Sequence, residues 1–276
     1  MRSIIIIKHY ALTWCFAFVI AGCWGGGPSA GIDGSGEPPK IITGPINGFG
    51  SVIVNGVRYT TDNAEIYLGN ELTQESELNV GNYVTVIGTQ DTDGTHGVAH
   101  SVHYQPNFTG PISSINKSEG TAVVLQQTVV LNNDTTFDRT ISPRDISGLT
   151  IGDKVEVSGP RDSNSRLIAK RIERVSDEAL SMSGTIAQLN ANQQIFTLNN
   201  VQVSYSEADI QGRLENGALV AVSEGIMVNN RLEVQDIDIL RDYSDAQPMS
   251  EIERSGYITE FSSVYAFKVD NISVLT

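Results

Sequence analysis

After residue 40 the chain alternates apolar and polar residues in short bursts. Val84/Val86, Val155/Val157 and Val220/Val222 each mark one face of a half-buried strand. Turn signals separate the bursts. Val54-Asn55-Gly56-Val57 reads as a two-residue hairpin, because Asn and Gly accept the positive φ of a type I′ turn. Leu198-Asn199-Asn200-Val201 and Val269-Asp270-Asn271-Ile272 repeat it, and Leu125-Gln126-Gln127-Thr128 is the weakest version. Short helical turns fit 72–78 and 143–149. The elements add up to an all-β protein.

These bursts recur in order. "TGPINGF" (43–49) returns as "TGPISSI" (109–115), "SGTIAQL" (183–189) and "SGYITEF" (255–261), so its glycines Gly44, Gly110, Gly184 and Gly256 lie roughly 70 residues apart. A glycine-centred strand keeps step as "LNVGNYVTVIG", "LTIGDKVEVSG" and "LENGALVAVSEG". A last strand closes each unit as "GVAHSVHY", "LIAKRIER" and "LEVQDIDI", pointing Ala99/Val102, Ala169/Ile172 and Val234/Ile237 inward. The repeats divide the chain into 41–106, 107–178, 179–250 and a partial fourth unit, 251–276. A strand set of this size must hide its edges. A small OB-like β-barrel is the first expectation and a compact β-sandwich the second. The fourth copy stops just after its hairpin, so the sequence reads as a fragment of a longer protein. The alternative is a half-repeat docked on repeat three.

The first residues are of another kind. Arg2 and Lys8 flank four isoleucines, and an uncharged stretch over 10–22 follows, shorter than the roughly 20 residues of a spanning helix. Ile20-Ala21-Gly22-Cys23 resembles the bacterial lipobox, with Ile20 where Leu is commonest. That resemblance implies a signal peptide over 1–22, acylation of the Cys23 thiol and cleavage before it. Cys15 would leave with the leader, and the mature chain would hold neither a free thiol nor a disulfide. Two or more acyl chains anchor stably where one does not. Residues 24–40, rich in Gly, Pro and Ser, read as a tether reaching about 20–25 Å. Trp24, not Asp, follows the cysteine, which under the sorting rule of enteric bacteria favours the outer membrane.

The repeat is similar to the bacterial envelope family catalogued as domain of unknown function 5666. The order Gly-x-Ile, hairpin, Leu-x-x-Gly-Asp-x-Val-x-Val-x-Gly and charged last strand carries the likeness, as does "GFGSVIVNGVRYTT". Residues 149–159 fit best; Asn82 and Ala218 stand where the motif has Asp. The resemblance implies repeated small β domains on exported proteins and transfers no catalytic residue.

Charge and chemistry narrow the reading. With 32 acidic against 18 basic side chains, the net charge of -14 works against nucleic-acid binding. His96, His100 and His103 are the candidate metal ligands, with Asp91 or Asp93 as the carboxylate that a functional site needs. The competing reading is a solvated strand face. Asp91-Thr92-Asp93-Gly94 starts like a calcium loop but lacks the terminal Glu. "RLIAKRIER" (166–174) reads as the wet face of a strand. No catalytic triad centre is legible, so the chain is expected to be no enzyme and to need no cofactor. The leading expectation is a lipid-anchored array contacting other envelope proteins. The rivals are a glycan-binding module, with Tyr59, Tyr67, Tyr83 and Tyr104 as its aromatics, and an envelope hydrolase.

Overall fold

The computed structural model describes residues 39–176, 179–240, 251–254, 258–269 and 272–275. The lipobox residues Ile20, Ala21, Gly22 and Cys23 lie outside them, as does most of the tether. Among the described residues no helix is long and apolar enough to cross a membrane.

Barrel one contains β1 (Lys40–Gly48), β2 (Val52–Val54), β3 (Val57–Thr60), β4 (Glu65–Leu68), β5 (Glu71–Thr73), β6 (Tyr83–Gln90) and β7 (His96–Tyr104). Five of these close a ring. β1 pairs β2, β2 pairs β3, β3 runs parallel to β7, β7 pairs β6, and β6 returns to β1. This is the Greek-key closure of small OB-like barrels, and it decides between barrel and sandwich. β4 adds in parallel to the second half of β7 and carries β5 as an extra hairpin.

Barrel two repeats the ring with β8 (Phe108–Asn116), β9 (Thr121–Val124), β10 (Gln127–Val130), β11 (Thr136–Phe137), β12 (Lys154–Ser158), β13 (Leu167–Ile168) and β14 (Arg171–Arg174). Here the last strand is bent between β13 and β14; β10 runs parallel to the first half and β11 to the second. Barrel three uses β15 (Leu180–Thr185), β16 (Ala187–Asn190), β17 (Ile195–Leu198), β18 (Val201–Ser204), β19 (Asp209–Gln211), β20 (Leu219–Val228), β21 (Arg231–Glu233) and β22 (Asp236–Ile239). Its pairings follow the same plan, with β18 parallel to β21. In the fourth unit β23 (Glu251–Arg254) pairs in parallel with β1 of barrel one. β24 (Ile258–Ser263), β25 (Ala266–Val269) and β26 (Ile272–Leu275) form a separate three-stranded sheet.

The alternation seen in the sequence builds the cores. Val84, Val86, Val155, Val157, Val220 and Val222 are each at most 1% exposed. At roughly 1.5–3 kcal/mol for each buried large aliphatic side chain, such residues dominate the stability of a disulfide-free barrel. The expected helical turns appear as single 3-10 turns, Glu75–Glu77 and Ile146–Gly148, the second capped by the Asp145 carboxylate accepting from the Ser147 N–H.

The hairpins explain the first-motif glycines. Asn55 and Asn199 occupy the first turn position at φ 52° and 49°. Each folds its side chain back onto the strand-one glycine, and a Cβ on Gly44 would sit 2.2 Å from Asn55 Oδ1. The amides then donate to the carbonyls of Thr43 and Ser183. Barrel two departs from expectation: its turn residues are Leu125 and Gln126, one position earlier than the spacing suggested. Leu125 accepts φ 45°, rare for a bulky residue, and buries its side chain over Gly110 instead.

Candidate functional site

Strand β7 carries the three histidines. His96 and His100 are exposed, and His103 is half-buried. A bulge opposite Ile87 and Gly88 keeps all three off the core. They do not converge. His103 stacks on Tyr67, with ring centroids 4.7 Å apart and planes 2° from parallel, and bonds Ser101 Oγ. His96 gathers with Asp91 and Asp93, whose ligand atoms lie within 4.8 Å of one another and which form the only such group among the described residues. All three are exposed. Asp93 Oδ1 accepts from the N–H and hydroxyl of Thr95, and these bonds, the backbone one first, lower its carboxyl below the usual range. Thr95 Oγ1 in turn meets His96 Nδ1 at 2.8 Å. The arrangement is a polar hairpin turn closed on itself.

The four tyrosines separate likewise. Tyr59 is fully buried, its hydroxyl accepting from Gln90, and Tyr104 is 5% exposed. Tyr67 and Tyr83 are half-buried, and the Tyr67 hydroxyl donates to Glu65 at 2.8 Å.

The basic run over 166–174 is not the wet face expected of it. Arg166 binds Asp162 at 2.7 Å, Arg174 binds Asp153 at 2.7 Å, and Arg171 binds Asp138 at 3.0 Å and also Glu173. The Arg171 side chain is only 7% exposed. The bend between β13 and β14 turns it toward barrel one, where Nη1 donates to the Val80 carbonyl. Burial works against the Asp138 carboxylate. The N–H and hydroxyl of Thr140, the Arg139 N–H and the Arg171 charge overcome that and bring its pKa to about 2. Asp153 and Asp162 are depressed in the same manner, burial opposing and the bonds from Arg174 and Arg166 prevailing.

Two further polar groups join the barrels, and sequence reasoning missed both. Tyr104 of barrel one donates to Glu156 of barrel two at 2.6 Å. Burial first, and then the Glu156 charge, push its phenol well above the usual range. Between barrels two and three, Arg161 Nη1 donates to Gln127 Oε1 at 3.0 Å and Gln127 Nε2 to the Asn199 carbonyl at 2.9 Å. Burial lowers the Arg161 guanidinium to about 10, and its Nη2 is buried without a hydrogen-bond partner. Partners 34 to 72 residues apart leave no local signal in a sequence. Asn70, on the extra hairpin of barrel one, reaches the Ile239 carbonyl of barrel three at 3.2 Å.

Comparison with known proteins places the first two units. No curated protein matches the chain. A solved structure described as a multidomain protein with nucleic acid binding domains from Streptococcus pneumoniae is 15% identical over 76% of each chain, with a TM-score of 0.15. That likeness is too slight to carry an argument. The model of the family described as domain of unknown function (DUF5666) matches residues 41–102 and 109–173. These two segments, the first and second barrels, are thus tandem DUF5666 domains.

Proposed function

We propose that the chain is a non-catalytic, lipid-anchored protein of the bacterial cell envelope that needs no cofactor and whose barrels form one rigid binding scaffold at the outer membrane. One observation carries the scaffold reading: the polar and basic side chains that could have served chemistry are committed to holding barrels and loops together. Tyr104–Glu156, Arg171 with Asp138 and Glu173, and Arg161–Gln127–Asn199 are such commitments. The anchor rests on Ile20-Ala21-Gly22-Cys23. Its partners are other envelope proteins met by the outer faces of the barrels, and the acidic charge disfavours nucleic acid.

Metabolic labelling with a palmitate analogue tests the anchor: wild type takes the label and Cys23→Ala does not. Equal labelling of both removes it. Crosslinking in intact envelopes, followed by capture, tests the scaffold. A defined envelope protein recovered with wild type and lost on outer-face substitution supports it, whereas turnover of an envelope polymer by the purified chain overturns it.

The Tyr67–His103 stack favours a second reading, glycan binding, because a half-exposed aromatic pair beside Glu65 and Ser101 combines an apolar ring with polar neighbours, as a sugar face requires. Calorimetry with peptidoglycan fragments decides it: Tyr67→Ala must abolish any heat that wild type gives.

A further inference from the structure

The turn between β6 and β7 has a counterpart in barrel two, and the two are built alike. In barrel one the Asp91 N–H donates to the His96 carbonyl, and the Asp91 carbonyl accepts from Gly94, at φ 67°. In barrel two the Asp162 N–H donates to the Arg166 carbonyl, and the Asp162 carbonyl accepts from Ser165, at φ 62°. Asp91 therefore stands where Asp162 does, and His96 where Arg166 does.

The charges differ. Arg166 closes a 2.7 Å salt bridge on Asp162, so the turn of barrel two carries its own cation. Barrel one adds a second carboxylate, Asp93, and has an imidazole in place of the guanidinium. Among the described residues no lysine or arginine bridges Asp91 or Asp93. The N–H and hydroxyl of Thr95 favour the ionised form of Asp93. The Thr95 hydroxyl proton goes to Asp93 Oδ1, so its 2.8 Å contact with His96 Nδ1 requires the ring nitrogen to donate. That places the proton on Nδ1 and leaves the lone pair on Nε2, the neutral form in which imidazole binds metals.

We propose that Asp91, Asp93 and His96 bind a divalent transition ion of the zinc class, which supplies the positive charge that Arg166 supplies in barrel two. Ligand atoms of all three lie within 4.8 Å of one another, and all three residues are exposed. Ligands about 2.0–2.2 Å from a tetrahedral zinc sit roughly 3.4 Å apart, a difference that rotation of exposed side chains closes. The mixed nitrogen and oxygen set favours zinc or nickel over calcium, which takes oxygen ligands. Thr95 is the supporting residue, tying the carboxylate to the ring. The inference stands apart from the anchor and the scaffold, because a zinc-binding turn is compatible with either outcome of their tests.

Calorimetric titration of the purified chain, free of any histidine tag, with Zn2+ tests it. Wild type should bind a single ion. His96→Arg recreates the barrel-two pair and should abolish binding while the melting temperature holds, since the turn is exposed. Asp93→Asn should also abolish binding. Thr95→Val should weaken it by roughly tenfold or more. His100→Gln should change nothing, and in NMR spectra Zn2+ should shift the imidazole signals of His96 and leave those of His100 in place. No heat from wild type, binding retained by His96→Arg, loss on His100→Gln, or Ca2+ bound as tightly as Zn2+ overturns the proposal.

Discussion

Barrels two and three meet strand to strand, whereas barrels one and two meet side chain to side chain. At the first seam β8 pairs with β15, setting Phe108 opposite Met182, and both side chains are at most 1% exposed. One continuous hydrophobic core runs through both barrels. Barrel one keeps a core of its own. It is attached to barrel two by Tyr104–Glu156 and Arg171–Val80 and by Gly81, where an added Cβ would come 2.8 Å from the Lys170 carbonyl. Two copies of one fold are thus joined by unlike forces. Apolar burial carries no titrating group, whereas a seam that pairs the buried Tyr104 phenol with the Glu156 carboxylate responds to pH. The lesson is that a repeated sequence repeats its barrels and need not repeat its joints.

The comparison can be broken most forcefully at Phe108. Phe108→Ala should cost about 3–5 kcal/mol and loosen barrels two and three together, leaving barrel one intact. Hydrogen exchange in mild denaturant checks this, and loss of protection confined to barrel two would show that the shared core is not one cooperative unit. Tyr104→Phe should cost about 1–3 kcal/mol, because it removes the phenol's hydrogen bond to a partly buried carboxylate. It should also sharpen the pH contrast. The phenol is held neutral in the folded protein above the pH at which the unfolded chain ionises, near 10.0. The unfolded state then binds fewer protons, so stability falls as pH rises from about 10 toward the raised folded value. Alkaline denaturation should show that fall in wild type and a shallower one in Tyr104→Phe. Asn55→Ala should cost about 1–2 kcal/mol, since it puts a side chain with no local hydrogen bond at φ 52° and removes the bond to the Thr43 carbonyl. Thermal melts of barrel one would record it. Gln126→Ala, which removes the exposed bonds to Asn230, should stay within about 0.5 kcal/mol. A larger loss would mean that the second seam also depends on its polar rim.

Much of the barrel was legible because its signals are local. Alternating valines, Asn-Gly and Asn-Asn turns and glycine bends each act within a few residues, and each appears where its chemistry requires. Leu125 was misread because its positive φ is bought by tertiary burial over Gly110, not by turn propensity. Arg171 was misread as a wet residue because strand alternation cannot foresee that its outer face is covered by the preceding barrel. The histidines were candidate partners by spacing alone, and the fold sends His96 to Asp91 and Asp93 and His103 to Tyr67.

By itself the sequence determined the repeat, the order of its main strands and the side chains that face each core, since periodicity and turn chemistry are properties of neighbouring residues. Tertiary structure alone decided that β3, β10 and β18 each lie parallel to the last strand and so close a barrel, and which polar side chains become seams. These outcomes depend on groups tens of residues apart meeting in space, and pairing of that kind leaves no periodic trace along the chain.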